Sequence, residues 1–208
     1  MTHPAVFASL LLGSYLLGSL PFGLWVAKKV KGIDIREAGS GNIGATNVGR
    51  VCGPVAGSVV FVLDVLKGLL PPLAAVGLHL PSQWQILAGL FALLGHTYSF
   101  LLKFKGGKGV ATGLGAFLGT SPIVGGLAFA LWILLVLTTR FVSVASVIAA
   151  TSLPILSYLY YPGDNYRLGF GLVACLLTNY KHRSNIKRLL SKTEPKVNLP
   201  WTKPNTHE

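Results

Sequence analysis

An all-α bundle of membrane-spanning helices is the fold this sequence predicts, and three observations predict it. Of 208 residues, 51% are hydrophobic and only 12% are charged, where a soluble domain carries about a quarter. The apolar residues form runs close to the roughly 20 that cross a bilayer. The basic residues collect between those runs. A net charge of +12, from 18 Lys and Arg against 6 Asp and Glu, would also suit a nucleic-acid binder. Cations placed between apolar spans do not form the soluble basic face such a protein needs, so no nucleic acid is expected as partner.

The first run, residues 4–27, lacks a basic segment before it and is long for a signal peptide, so it reads as a retained helix. Further runs follow at 51–78, 85–102, 110–138, 142–161 and 166–180. The run at 110–138 is too long for one crossing of a core about 30 Å thick. It contains Gly119-Thr120-Ser121-Pro122, a turn signal. Charge decides how to divide it. Sixteen of the 18 basic residues lie in four places: Lys28 to Arg50, Lys103 to Lys108, Arg140, and the tail from Lys181. Only Lys67 and Arg167 lie elsewhere. Lys and Arg accumulate on the cytosolic side. An unbroken span at 110–138 would put Arg140 and the tail outside, whereas a break at 119–122 puts all four clusters inside. The expectation is seven spans, N-terminus outside and C-terminus cytosolic. A single membrane domain over 1–190 would then carry a basic tail at 191–208. The half-run at 110–119 is short and rich in small residues, which suits close helix packing. Cys52 and Cys175 belong to no C-x-x-C pair and are expected to be small buried hydrophobes.

The inner loops hold the residues able to do chemistry. The first reads Ala38-Gly-Ser-Gly-Asn-Ile-Gly-Ala-Thr-Asn47, followed by Arg50. Three glycines in six residues allow positive φ and close backbone approach to a ligand. Successive N–H groups can converge there on an anion. Ser40, Asn42, Thr46 and Asn47 add neutral donors, and Arg50 adds a planar fork suited to phosphate. A helix starting near Asn47 would add its N-terminal dipole. The plainer alternative is a flexible turn, which the density of Ser, Thr and Asn disfavours. The second loop ends Gly106-Gly107-Lys108-Gly109. Val110 stands where a Walker loop has Ser or Thr, so ATP hydrolysis is not indicated. Lys108 among glycines reads as a phosphate ligand, while Lys103 and Lys105 read as positive-inside anchors. His96 closes an apolar run, where a lone histidine is more often structural than ligating. Ser143 and Ser146, and likewise His182 and Asn185, are three residues apart and share a face if helical. For the serines alone, helix packing is the better reading. Asp64 and Lys67, also three apart, can pair within a span. Of the six carboxylates, only Asp34, Glu37 and Asp64 are expected near the inner loops. No G-x-S-x-G elbow and no zinc-ligand cluster occurs. Catalysis by these loops would rest on positioning and charge.

Gly39 to Asn47 with Arg50, then Gly95-His96 leading to Phe104-Lys-Gly-Gly-Lys-Gly109, then Lys181-His-Arg-x-Asn-Ile186 resemble the three motifs of the bacterial acyl-phosphate:glycerol-3-phosphate acyltransferase family (PlsY). The resemblance covers roughly residues 5–190. It implies seven transmembrane helices in the bacterial inner (plasma) membrane, with the active site facing the cytosol. It also implies acyl transfer from acyl phosphate to the 1-hydroxyl of glycerol 3-phosphate. By that resemblance Ser40, Lys108, His182 and Asn185 are catalytic. Gly41, Asn42, Gly44, Ala45, Thr46, Asn47, Arg50, Gly106, Gly107 and Ser146 bind substrate, so Ser146 rises above its packing reading. Partners are the two substrates, membrane lipid and the enzyme that supplies acyl phosphate. No cofactor or metal is called for. The His-x4-Asp dyad of soluble-type glycerolipid acyltransferases is absent. One departure is Ser99, where the family commonly has proline, which puts the local helix geometry in question. Two other classes remain open on the loops alone. One is a transporter for a phosphorylated metabolite, disfavoured because the polar groups lie on one face and no inverted repeat is visible. The other is an acyltransferase fed by acyl-CoA or acyl carrier protein.

Overall fold

The computed structural model describes residues 4–197, and these residues are helices and turns with no strand. The chain divides into two compact units, 1–122 and 123–208. Residues 198–208 of the expected tail lie outside the described residues.

In the first unit, the opening apolar run is two helices, α1 (Pro4–Gly18) and α2 (Phe22–Lys31). Pro21 lies at the break, where it removes a backbone donor and clashes with the preceding turn. α2 ends on Gly32 at φ 70°, whose N–H donates to the Lys28 carbonyl, the usual left-handed helix stop. Lys28, Lys29 and Lys31 fill its last turn, where cations meet the negative end of the helix dipole. A short 3-10 turn (Ile35–Glu37) leads through the glycine loop to α3 (Ala45–Cys52). Next comes α4 (Pro54–Gly77), so the expected run at 51–78 begins with the end of a separate helix. α5 (Ser82–Thr97), a 3-10 turn (Phe100–Leu102) and α6 (Val110–Thr120) complete the unit.

α4 is patterned inside out. Val55, Val59, Val62, Leu66, Leu70, Leu73 and Val76 are exposed, while Asp64, Lys67, Gly68 and Ala75 are buried. Steps of three and four residues place the exposed set on one face. Such a face needs an apolar solvent, and the charges turn inward, as in a membrane helix. Asp64 and Lys67 do pair, Oδ1 to Nζ at 2.8 Å. Glycines set the helix spacing. A Cβ at Gly68 would stand 2.0 Å from the Thr112 carbonyl oxygen, and one at Gly115 2.0 Å from that of Val65. α4 and α6 thus meet backbone to backbone, and the small residues of 110–119 serve that contact. Gly18 and Gly95 bring α1 and α5 equally close, against the carbonyl oxygens of Ala92 and Tyr15.

The second unit holds α7 (Pro122–Thr139) from its second residue on, α8 (Val142–Tyr160), α9 (Asn165–Lys181) and α10 (Arg183–Leu190). The break between α6 and α7 falls at Ser121, inside the expected turn. α8 and α9 pack against each other, with Gly171 against the Pro154 backbone. Arg167, one of the two basic residues outside the clusters, is paired with Asp164 and lies 4.4 Å from the Tyr161 ring centroid.

Among the described residues, five helical runs are long and apolar enough to cross a membrane: Pro4–Lys31, Pro54–Gly77, Ser82–Leu102, Pro122–Thr139 and Val142–Tyr160. The other two expected spans are shorter. α6 has 11 residues, which at about 1.5 Å each reach roughly half the apolar thickness. α9 has 17 residues and ends in Thr178-Asn179-Tyr180-Lys181. Both cysteines are free and partly exposed rather than fully buried.

Candidate active site

The first glycine loop is folded around one side chain. Asn47 is 2% exposed. Its Oδ1 accepts from the Ser40 N–H at 2.8 Å, and its Nδ2 donates to the carbonyls of Asn42 (2.8 Å) and Ala38 (3.0 Å). Asn42 Oδ1 accepts from Gly44 N at 2.9 Å. Gly39 and Gly41 lie at φ 59° and 69°, and a Cβ at Gly39 would meet Asn47 Oδ1 at 2.3 Å. Gly44 caps α3, which begins at Ala45, two residues earlier than expected. With Asn47 turned inward, Ser40, Thr46 and Arg50 remain exposed. Beneath the loop Ile35, Ile43 and Val48 join one buried cluster with Ala27, Ala56, Val60 and Leu102. Asn47→Ala would strip partners from one N–H and three carbonyls, those of Ile35, Ala38 and Asn42, at about 1–3 kcal/mol for each group left buried and unpaired. The expected result is at least a tenfold fall in kcat/KM. Asn47→Asp, which keeps the acceptor, should lie between it and the wild type in steady-state kinetics.

The second loop is held from below by α5. Gly107 N donates to the His96 carbonyl at 3.0 Å. A Cβ at Gly107 would meet His96 Nε2 at 2.2 Å, one at Gly106 the His96 carbonyl oxygen at 2.0 Å, and one at Gly109 the Leu93 side chain at 2.6 Å. Gly109 also sits at φ 83° and precedes the first turn of α6. Lys108 is half-buried. Lys103 and Phe104 adopt φ of 50° and 62°, values costly for residues with a Cβ. Ser99 resolves the departure from the family pattern. Its φ of −61° is the value proline fixes, and α5 has already ended at Thr97. Its hydroxyl donates to the Ser19 carbonyl at 2.6 Å, tying the entry of this loop to the break between α1 and α2. Leu102, which leads into the loop, belongs to the same buried cluster as Ile43 and Val48. The turn that leads into the second loop thus touches the cluster beneath the first, while Gly106–Gly109 itself rests on His96, Thr97 and Leu93 of α5.

In the second unit Ser143 and Ser146 are buried in α8. Ser146 Oγ donates to the Val142 carbonyl at 2.8 Å and accepts from Trp132 Nε1 at 3.1 Å. His182 lies at the junction of α9 and α10, 3% exposed. Its Nδ1 is 2.8 Å from the Thr178 carbonyl oxygen, an acceptor, so Nδ1 carries the proton. Asn185 Nδ2 donates to Glu194 Oε1 at 2.6 Å, and Arg188 Nε to Oε2 at 2.7 Å. Glu194 is thus a carboxylate in contact with Asn185 that the expected set of Asp34, Glu37 and Asp64 does not include. As the first carboxylate after a run of cations from Lys181 to Lys192, it was the signal available. Burial pushes its carboxyl up, but donation led by Asn185 outweighs this and holds it below the usual range. Val197 N donates to the Arg140 carbonyl at 2.8 Å, and Arg140 Nε to the Val197 carbonyl at 3.1 Å. The tail segment 194–197 therefore packs on its own unit.

Asp34 is held at about 2 by the Arg36 side chain bonded to it, too acidic for a general base near neutral pH. Among the described residues, no group of three His, Cys, Asp or Glu is placed to hold a metal ion. In the first unit, Ser40, Thr46, Arg50 and Lys108 offer hydrogen-bond donors and cations, groups suited to phosphate.

The family model described as glycerol-3-phosphate acyltransferase matches residues 8–192. A glycerol-3-phosphate acyltransferase of Geotalea daltonii is 48% identical over 89% of this chain and 94% of its own length. That of Bacillus subtilis is 43% identical over 92% and 98%. The crystal structure of PlsY (YgiH), an integral membrane glycerol 3-phosphate acyltransferase in its glycerol 3-phosphate form, superposes with a TM-score of 0.87 at 41% identity, covering 93% of this chain and 96% of that one. Its lysophosphatidic acid form gives 0.84. Inside-out helices, phosphate-suited loops and near-complete coverage agree: the chain belongs to the glycerol-3-phosphate acyltransferase family of integral membrane proteins.

Proposed function

We propose that this acyltransferase uses acyl phosphate as donor, acylates the 1-hydroxyl of glycerol 3-phosphate, and releases lysophosphatidic acid and inorganic phosphate. The observation that carries the reading is the pair of glycine-built loops, which leaves Ser40 and Arg50 exposed and holds Lys108 half-buried between glycines that admit no Cβ. Ser40 and the backbone of Gly41, Asn42, Gly44, Ala45, Thr46 and Asn47 take the acyl-phosphate head. Arg50, Lys108, Ser146, His182 and Asn185 take glycerol 3-phosphate, with Gly106 and Gly107 shaping the Lys108 loop. The glycerol oxygen attacks the acyl carbon, the bond from that carbon to the phosphate oxygen breaks, and phosphate leaves with the electron pair. A substrate phosphate oxygen takes the hydroxyl proton. The depressed carboxyls of Asp34 and Glu194 favour this over a protein carboxylate base, and His182 is the protein alternative.

The protein works in a bacterial inner membrane, beside the enzyme that supplies acyl phosphate, with its loops cytosolic. Seven spans, the short α6 and α9 included, follow from the charge count. Lys67 and Arg167, the two exceptions to that count, are each paired with an acid three residues earlier, which fits them to positions away from the basic face. A reporter enzyme active only in the periplasm should be silent when fused after Arg140, and activity there would refute seven spans. Donor identity is tested with purified protein, glycerol 3-phosphate, and acyl phosphate, acyl-CoA or acyl carrier protein supplied separately. Lysophosphatidic acid is expected from acyl phosphate alone, with one phosphate released per turnover. No product from acyl phosphate would overturn the proposal.

A further inference from the structure

Three buried polar side chains of the first unit form one connected group that the proposed reaction does not use. Asp64, Lys67 and His96 are 3%, 2% and 4% exposed. Asp64 Oδ1 lies 2.8 Å from Lys67 Nζ and 3.7 Å from His96 Nδ1. The first is a hydrogen-bonded ion pair; the second is an electrostatic contact. Lys67 Nζ also donates to the Leu20 carbonyl at 2.8 Å, at the break between α1 and α2, and stands 5.4 Å from the Phe22 ring centroid. Ionisable groups placed within apolar helices are costly to bury. A pair that only neutralised itself would explain Asp64 and Lys67 but not the histidine beside them.

The other side of that histidine shows its use. His96 meets the second glycine loop at two points: its carbonyl accepts from Gly107 N at 3.0 Å, and its Nε2 occupies the space a Gly107 side chain would need. The imidazole therefore stands between Asp64, facing its Nδ1, and the residue that precedes Lys108. We infer that His96, oriented by the Asp64–Lys67 pair, is a positioning residue that sets the height and direction of the Gly106–Gly109 loop and so aims Lys108. This rests on the reading above that Lys108 meets a substrate phosphate. The ring is a rigid spacer whose rotation is fixed by the charge behind it. Through Leu20 the same pair joins this loop support to the first helices.

A rigid spacer predicts coupling between His96 and Lys108. His96→Leu removes the group that faces Asp64 and refills the space differently. His96→Asn keeps a polar atom near the Nδ1 position. In detergent-purified protein, normalised to the folded fraction from thermal unfolding, His96→Leu should lower kcat/KM for glycerol 3-phosphate by about tenfold or more, since displacements of an ångström cost that much. His96→Asn should recover most of the loss. In a Lys108→Ala background, either His96 substitution should change kcat/KM by less than about twofold, because nothing remains to aim. If His96→Leu does not fold, the smaller deficit of His96→Asn should likewise vanish in that background. Wild-type kinetics in His96→Leu, or losses that multiply with Lys108→Ala, would overturn the inference. Unimpaired kinetics in Lys108→Ala alone would instead refute the assignment of Lys108.

Discussion

Lys108→Ala should lower kcat/KM by about 10²- to 10³-fold while leaving the protein folded. Removing one preorganised donor from a site of developing negative charge has effects of that size. The loop makes the case for a full effect. Gly106, Gly107 and Gly109 have no room for a Cβ, so the backbone carrying Lys108 has one path and cannot bring another donor forward. Lys108→Arg keeps the charge on a broader, planar head and should recover only part of the activity. Steady-state kinetics against each substrate separately reads which phosphate is held, because the KM for the partner of Lys108 should rise more. A membrane anchor at this position would predict unchanged kinetics per folded molecule.

Gly115→Val should prevent accumulation of folded protein, and Gly115→Ala should lower stability by about 3 kcal/mol or more. Overpacking typically costs 1–3 kcal/mol, and here the obstacle is backbone: the Val65 carbonyl oxygen at 2.0 Å and Leu69 N at 2.9 Å. Neither can swing aside as a side chain would, so α4 and α6 must separate. That separation would also shift the start of α6 and with it Gly109. Gly126→Ala is the control, because nothing lies within 4 Å of its added Cβ. There the alanine should be neutral or stabilising by up to about 1 kcal/mol, through helix propensity. Yield of monodisperse protein and thermal unfolding in detergent separate the two.

The all-helical membrane fold was legible in composition and run length, and the loops in their glycines and cations. The break at Ser121 was legible in the distribution of charge. Less legible were features decided by contact across the fold. Asn47 reads as a ligand among Ser, Thr and Gly, but its burial against Asn42 and Ala38 depends on how the loop closes. The split of the first run at Pro21 was available from the proline, yet the apolar residues on both sides hid it. Glu194 is hard to read from sequence because it lies beyond the motif that carries Asn185, and only the turn after α10 returns it. α6 shows a limit of length as a guide: its 11 residues fall short of a crossing, and hydropathy cannot say how far a short helix reaches.

The packing of segment 194–197 on Arg140 and Asn185 has a consequence in time. These residues follow all ten helices of the described chain, so their contacts can form only after every helix has been synthesised. Helices entering the bilayer one by one as they leave the ribosome would reach their places with Asn185 still lacking Glu194 and the Arg140 turn still lacking Val197. The bonds that hold Asn185 and the Arg140 turn are thus late events of biogenesis, formed after the helices they brace.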